Sequence, residues 1–194
     1  GMLPEGPVLA AGLGNRAMIC DAVGPAVVDN LLVTRHMIRA MPRQFVDFRP
    51  VAAVCPGVLA RTGMEALELV RGAVERVHPA AVIAVDALAA RDSARLCATV
   101  QLSDTGLIPG SGVGNHRRAI DRETMGVPVL SMGLPTVMDA ATMAADLTGA
   151  DEPPELPEPL FVTTRDVDQR VRELSRLMGY AVTLALQPEL EPED

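Results

Sequence analysis

Ala81-Val82-Ile83-Ala84-Val85 is an unbroken apolar run that ends on a carboxylate, Asp86. A strand with no polar side chain on either face has to be covered on both sides. That is the situation of a strand in a parallel sheet sandwiched by helices. Two other segments repeat the pattern: Pro7-Val8-Leu9-Ala10-Ala11, closed by Gly12-Leu13-Gly14-Asn15, and Val51-Ala52-Ala53-Val54, ended by Cys55-Pro56-Gly57. Between the second run and the third, Leu67, Val70, Val74 and Val77 recur at helical intervals. The alternation of strands with helices implies right-handed crossovers and a largely parallel sheet. Ligands of such sheets bind beyond the carboxyl ends of the strands, which is where Asp86 falls.

The remaining elements follow from punctuation and periodicity. A helix is predicted after Asp21, with Gly24-Pro25 in its first turn and Val27, Val28, Leu31, Leu32 and Ile38 on one face. Thr62-Gly63-Met64-Glu65 has the spacing of a capping box, and His78-Pro79 ends the helix behind it. Ala98-Thr99-Val100-Gln101-Leu102 alternates and reads as a strand nearer an edge, whereas residues 103–115 are too rich in Gly and Pro for regular structure. Val127–Met132 is expected to be a fifth strand, with Pro135 opening a helix that runs through Asp139 to Leu147. Residues 149–159 read as a Pro-rich acidic linker or surface excursion. Thr164 then caps a last helix with Val167, Val171, Leu174, Met178, Ala181 and Ala185 on one face, before a tail expected to fray. The expectation for all 194 residues is a single α/β domain, a mostly parallel sheet of about five or more strands with helices on both faces.

Composition narrows the chemistry. There is no lysine, so neither a Schiff-base lysine nor a P-loop lysine can operate. A net charge of -8 disfavours a nucleic-acid partner. Cys20, Cys55 and Cys97 are odd in number and scattered, as in a reduced cytoplasmic protein. No apolar run reaches the length of a membrane span.

Gly12-Leu13-Gly14-Asn15-Arg16-Ala17 fits the G-x-G-x-x-A dinucleotide fingerprint, but no acid ends the following strand at the expected interval, which weakens that reading. Asp21 and Asp86 form a second constellation, one at the first strand-to-helix turn and the other at the end of the third strand. If those strands are neighbours, both carboxylates reach one crevice. Two nearby carboxylates do not both ionise cheaply, so such a pair can deprotonate a water and protonate a leaving amine. The competing reading makes each Asp an ordinary helix N-cap, and spacing alone favours it. A carboxylate-only site at Asp21 and Asp86 for a divalent ion is a further option, whereas His36, His78 and His116 have no ligand-spaced partners. Gly110-Ser111-Gly112 is not a nucleophile elbow. The glycine-rich loop, with Arg117 and Arg118 behind it, either cradles an anion or peptide carbonyl or is a bland solvated loop.

Taken together, these motifs resemble the spore germination protease family. The resemblance rests on Gly12–Asn15, Asp21–Pro25, Leu31–His36, Pro56-Gly57-Val58, Thr62–Glu65, Ile83–Ala90, Gln101–Gly106, Pro109–Asn115 and Gly133–Ala140, all in the family's order. It implies an aspartic-type endopeptidase that hydrolyses small acid-soluble spore proteins, with a fold similar to the hydrogenase maturation proteases. It puts the catalytic aspartates on Asp21 and Asp86. Asn15, Asp104, Gly110, Ser111 and Asn115 then support the site or bind substrate. It further implies a homo-oligomer. The expected location is cytoplasmic, inside the spore or forespore, and no cofactor is expected apart from the divalent ion that Asp21 and Asp86 could hold. The chain reads as a short homologue, without the family's long N-terminal region. It has Met18-Ile19-Cys20 where the family usually has Val-Thr-Pro, and Ile108 where it commonly has His. Two other classes stay open: a catalytically inactive relative that binds peptides or a partner, and a metal-dependent maturation-type protease.

Overall fold

The apolar run around Ile83 is the middle of the sheet. In the computed structural model, which describes residues 3–110 and 118–190, β3 (Ala81–Ala90) lies between β1 (Val8–Leu13) and β5 (Val129–Asp139). The strand order is β2-β1-β3-β5-β4, where β2 is Val51–Gly57 and β4 is Gln101–Ser103, and β6 (Phe161–Val162) pairs with the far end of β5. The β1–β2, β1–β3 and β3–β5 pairs are parallel, while β4 and β6 run antiparallel to β5. The expected α/β architecture is what forms.

Strand alternation divides the core between the two faces. Val8, Ala10, Ile83, Val85, Met132 and Leu134 pack against α1 (Val23–Asp29) and α7 (Val167–Leu186). Leu9, Ala11, Leu13, Val82, Ala84 and Val129 turn the other way, onto α4 (Ala66–Val77) and Met125 of α5 (Arg122–Met125). Burial of each such Val or Leu contributes about 1.5–3 kcal/mol, so β3, sealed on both sides, is the anchor of the domain.

At Gly24 the backbone of α1 rests directly on the sheet. A Cβ on Gly24 would fall 2.4 Å from the Leu13 backbone and 2.5 Å from the Val85 carbonyl oxygen, and one on Gly12 would fall 2.4 Å from the Gly24 carbonyl oxygen. This backbone-to-backbone approach draws the turn before α1 onto the carboxyl ends of β1 and β3. Gly12, the first glycine of the apparent dinucleotide fingerprint, is therefore accounted for by packing.

Several elements differ from expectation, each for a physical reason. The long helix after Asp21 is two short ones, α1 and α2 (Arg35–Ala40). Asn30 breaks it by bonding back to the Ala26 carbonyl at 2.8 Å, while Thr183 of α7 takes the Leu32 amide at 3.1 Å. Thr62 ends the single turn α3 (Leu59–Thr62), terminated by Gly63 at φ +70°, and caps nothing. Glu65 caps α4 instead, its amide donating to Glu68 Oε2 at 2.8 Å. Pro135 opens no helix. It continues β5 at the point where the β3–β5 register slips, so the missing N–H breaks no regular ladder. The helix α6 (Ala140–Thr148) begins only after Asp139, whose carboxylate accepts from the Thr142 amide at 2.9 Å. The alternating 98–102 stretch shrinks to the three residues of β4 at the sheet edge.

In α7 the N-cap is Asp166, not Thr164, and the buried face is Val171, Ser175, Met178, Gly179, Val182 and Leu186. Ala181 and Ala185 are exposed. Two members of that face are a serine and a glycine, for which hydropathy carries no signal; a Cβ on Gly179 would lie 2.8 Å from Asn30 at the end of α1. Residues 150–160 are exposed and form neither helix nor strand, as expected of an excursion. Among the described residues no helix is long and apolar enough to cross a membrane.

Candidate active site

Asp86 continues the face of β3 that carries Val82 and Ala84, one step past the apolar packing against α4. It is only 5% exposed, stands opposite Gly133 of β5, and accepts a hydrogen bond from the Ala87 amide at 2.9 Å.

Asp21 reaches the same place from the turn that follows β1. The chain leaves β1, turns at Gly14, and makes a short 3-10 turn over Ile19–Asp21. Gly14 holds φ +107°, and a Cβ there would lie 2.1 Å from the Asp21 carbonyl oxygen and 2.9 Å from its Oδ1. In the space so left, the Asn15 amide donates to both the Asp21 carbonyl oxygen, at 2.9 Å, and Oδ2, at 2.8 Å. The Asn15 side chain accepts from the Ala17 amide at 3.1 Å, bracing the turn from within. From β5, the fully buried Thr136 donates its hydroxyl to the Cys20 carbonyl at 2.6 Å. An exposed ion pair between Arg16 and Asp29 adds little, since such pairs contribute about 0–1 kcal/mol. The glycine, the amide and the buried threonine position Asp21.

Both carboxylates line one cavity of about 340 Å³ at the carboxyl ends of the strands. Its wall is formed by Leu13 of β1 with Gly14 and Asn15 after it, Met18 and Cys20, Val58 and Ala66 on the β2 side, Leu88 of β3, Pro109 and Gly110, and Thr136 and Val137 of β5. Among the described lining residues the titratable groups are Asp21, Asp86 and Cys20. Burial pushes the Cys20 thiol above its ordinary value, against the opposing hydrogen bond from Thr163. The 103–110 segment is pinned beside the cavity. Ser131 of β5 donates to the Ser103 and Gly106 carbonyls at 3.1 and 3.2 Å, and Leu107 bridges to Ile120.

The helix-cap reading of the acids fails: Ala22 occupies the N-cap of α1, and Asp86 lies inside a strand. Of the supporting residues expected from sequence, Asn15 and Gly110 line the cavity, whereas Asp104 is exposed at the end of β4 and does not. Ser111 and Asn115 lie outside the described residues, as do Arg117 and His116. Arg118 is exposed. His36 sits on α2 and His78 at the end of α4, away from the cavity lining. Among the described residues no group of three or more His, Cys, Asp and Glu side chains is placed to hold a metal ion. Sequence reasoning missed Cys20, Leu88 and Thr136. The one available signal for Thr136 was a hydroxyl in an otherwise apolar run, and it was lost once Pro135 was read as a helix start.

Fold and site together define an α/β protein whose carboxylate-lined cavity sits over the carboxyl ends of a mostly parallel sheet. The family model for germination proteases matches residues 2–149, a span that includes both aspartates. The germination protease of Clostridium perfringens is 39% identical over 223 residues, covering 98% of this chain and 69% of that protein. That of Priestia megaterium is 50% identical over 139 residues, covering 71% of this chain and 38% of the relative. The chain belongs to the germination protease family, and so to the peptidases. Among solved structures, the NiFe hydrogenase maturation protease HycI from Thermococcus kodakarensis is similar at a TM-score of 0.49 and 17% identity, over 90% of each chain.

Proposed function

We propose that this chain is an endopeptidase acting on small acid-soluble spore proteins inside the spore, with Asp21 and Asp86 activating the water that attacks the peptide bond. The observation that carries this reading is the convergence of two acids, remote in sequence, on one cavity otherwise walled mainly by apolar side chains. In such surroundings one carboxylate of a pair keeps a proton. The ionised member takes a proton from water as it adds to the carbonyl carbon. The protonated member then delivers its proton to the departing amine. No covalent bond to the enzyme forms, and the active pair is restored when the products exchange for a new water.

The test is cleavage of a purified small acid-soluble spore protein, followed by mass spectrometry. Asp86→Asn and Asp21→Asn should each lower the rate about 10²–10⁴-fold, the range of one general acid or base, without loss of the folded state. Wild-type turnover in either variant would remove the mechanism. In this reading a chelator leaves the rate unchanged. Loss on chelation with recovery on adding a divalent ion would recast the two carboxylates as metal ligands.

A further inference from the structure

Leu88 stands two residues beyond Asp86 on the same face of β3 and lines the same cavity. Across the ladder, the partner of Asp86 is Gly133. A Cβ built on Gly133 would fall 2.3 Å from Leu88 Cδ1, 2.5 Å from Cγ and 3.0 Å from Cδ2. The end of the leucine thus occupies the volume in which a side chain at 133 would stand. Gly133 lies inside a strand and is not among the glycines with positive φ. Its backbone conformation does not call for glycine, and a glycine in a strand interior weakens the strand. What occupies its side-chain volume is the end of the leucine lying on top.

We propose that Leu88, seated on Gly133, sets the size of the substrate side chain admitted beside the Asp21–Asp86 pair. Leu88 is then the specificity-determining residue and Gly133 a positioning residue that acts through it. This rests on the peptidase reading above. While Gly133 is glycine, Leu88 lies down over β5 and the cavity above Asp86 stays open. A side chain at 133 displaces the end of Leu88, which then rises towards the cavity it lines.

Three variants decide the matter: Gly133→Ala, Leu88→Ala and the two combined. They are assayed on the spore protein and on peptides from its cleaved segment, with the residues flanking the scissile bond varied from Ala to Phe. Gly133→Ala should raise KM roughly tenfold or more for the larger side chains, with kcat little changed, the scale on which pocket volume discriminates. Leu88→Ala should shift preference towards larger side chains, and in the Gly133→Ala background it should restore KM. An unchanged KM in Gly133→Ala, or a double variant as impaired as the single one, overturns the proposal. If Gly133→Ala alone fails to fold, a double variant that folds and cleaves upholds the seating, and one that also fails to fold overturns it. If the wild type cleaves nothing, the proposed function falls. Crystal structures of Gly133→Ala then decide separately: Leu88 raised towards Asp86 upholds the seating, and Leu88 unmoved overturns it.

Discussion

Replacing Gly14 by alanine tests how Asp21 is held. At φ +107° an L residue is strained on the order of 1–3 kcal/mol. The new Cβ would also lie 2.1 Å from the Asp21 carbonyl oxygen, where real contacts stay above 3.0 Å. The 3-10 turn must therefore retreat by roughly 1 Å, and a displacement of that size costs about 100-fold in rate. Retreat also breaks the shared hydrogen bond from the Asn15 amide to the Asp21 carbonyl oxygen and Oδ2, worth about 1–3 kcal/mol where part-buried. Strain and lost bonding together come to about 2–6 kcal/mol. In a chain of this size that lowers Tm by roughly 5–20 °C. Thermal unfolding by circular dichroism and the spore-protein cleavage assay read the two effects. Gly63→Ala is the control: Gly63 also has positive φ, +70°, but nothing lies within 4 Å of its Cβ, so only the backbone cost remains and the rate should hold. A Gly14→Ala protein with wild-type rate and Tm would refute the reasoning.

Gly72 sits exposed inside α4, with nothing within 4 Å of an added Cβ. Gly72→Ala should therefore stabilise the protein by about 0.5–1 kcal/mol in chemical denaturation, and any destabilisation counts against the packing described. Thr136→Val removes the donor to the Cys20 carbonyl at nearly constant volume. A loss of about 1–3 kcal/mol is expected, with a lower cleavage rate, because the turn carrying Asp21 loses its tie to β5. Burial raises the Cys20 pKa, so its neutral thiol persists to higher pH than in the unfolded chain. Iodoacetamide should then label Cys20 more slowly at pH 8 in the folded protein than in urea, with the rate still climbing above pH 9. Because Cys20 lines the cavity, labelling should also block cleavage, and Cys20→Ala should abolish that sensitivity.

Much of the fold can be read from local pattern. Continuous apolar runs gave β1, β2 and β3, and the 3.6-residue period of Leu67, Val70, Val74 and Val77 gave α4. Both signals report burial, which such segments must achieve in whatever context they find themselves. Asp21 and Asp86 were legible as acids at strand ends, and Asn15 and Gly110 as motif residues. The errors fell where the outcome depends on a distant neighbour. Pro135 is an acceptable strand residue because β3 slips register beside it, and Asn30 ends α1 where Thr183 of α7 meets the chain. Ser175 and Gly179 are buried on the inner face of α7, Gly179 against Asn30 at the end of α1, although neither is apolar enough to announce it.

The chain's own order of residues settles that there are covered strands, that acids follow two of them, and that glycines stand at Gly12, Gly14 and Gly24. Hydrophobic burial and the backbone's few allowed conformations act over a handful of neighbouring residues, so these features need no knowledge of the whole. Whether the two acids line one cavity is another matter. It depends on β1 lying beside β3 and on Gly14 yielding its side-chain volume to Asp21. Strand order and close backbone approach join segments far apart in the polypeptide, and their free energy exists only once those segments are packed together.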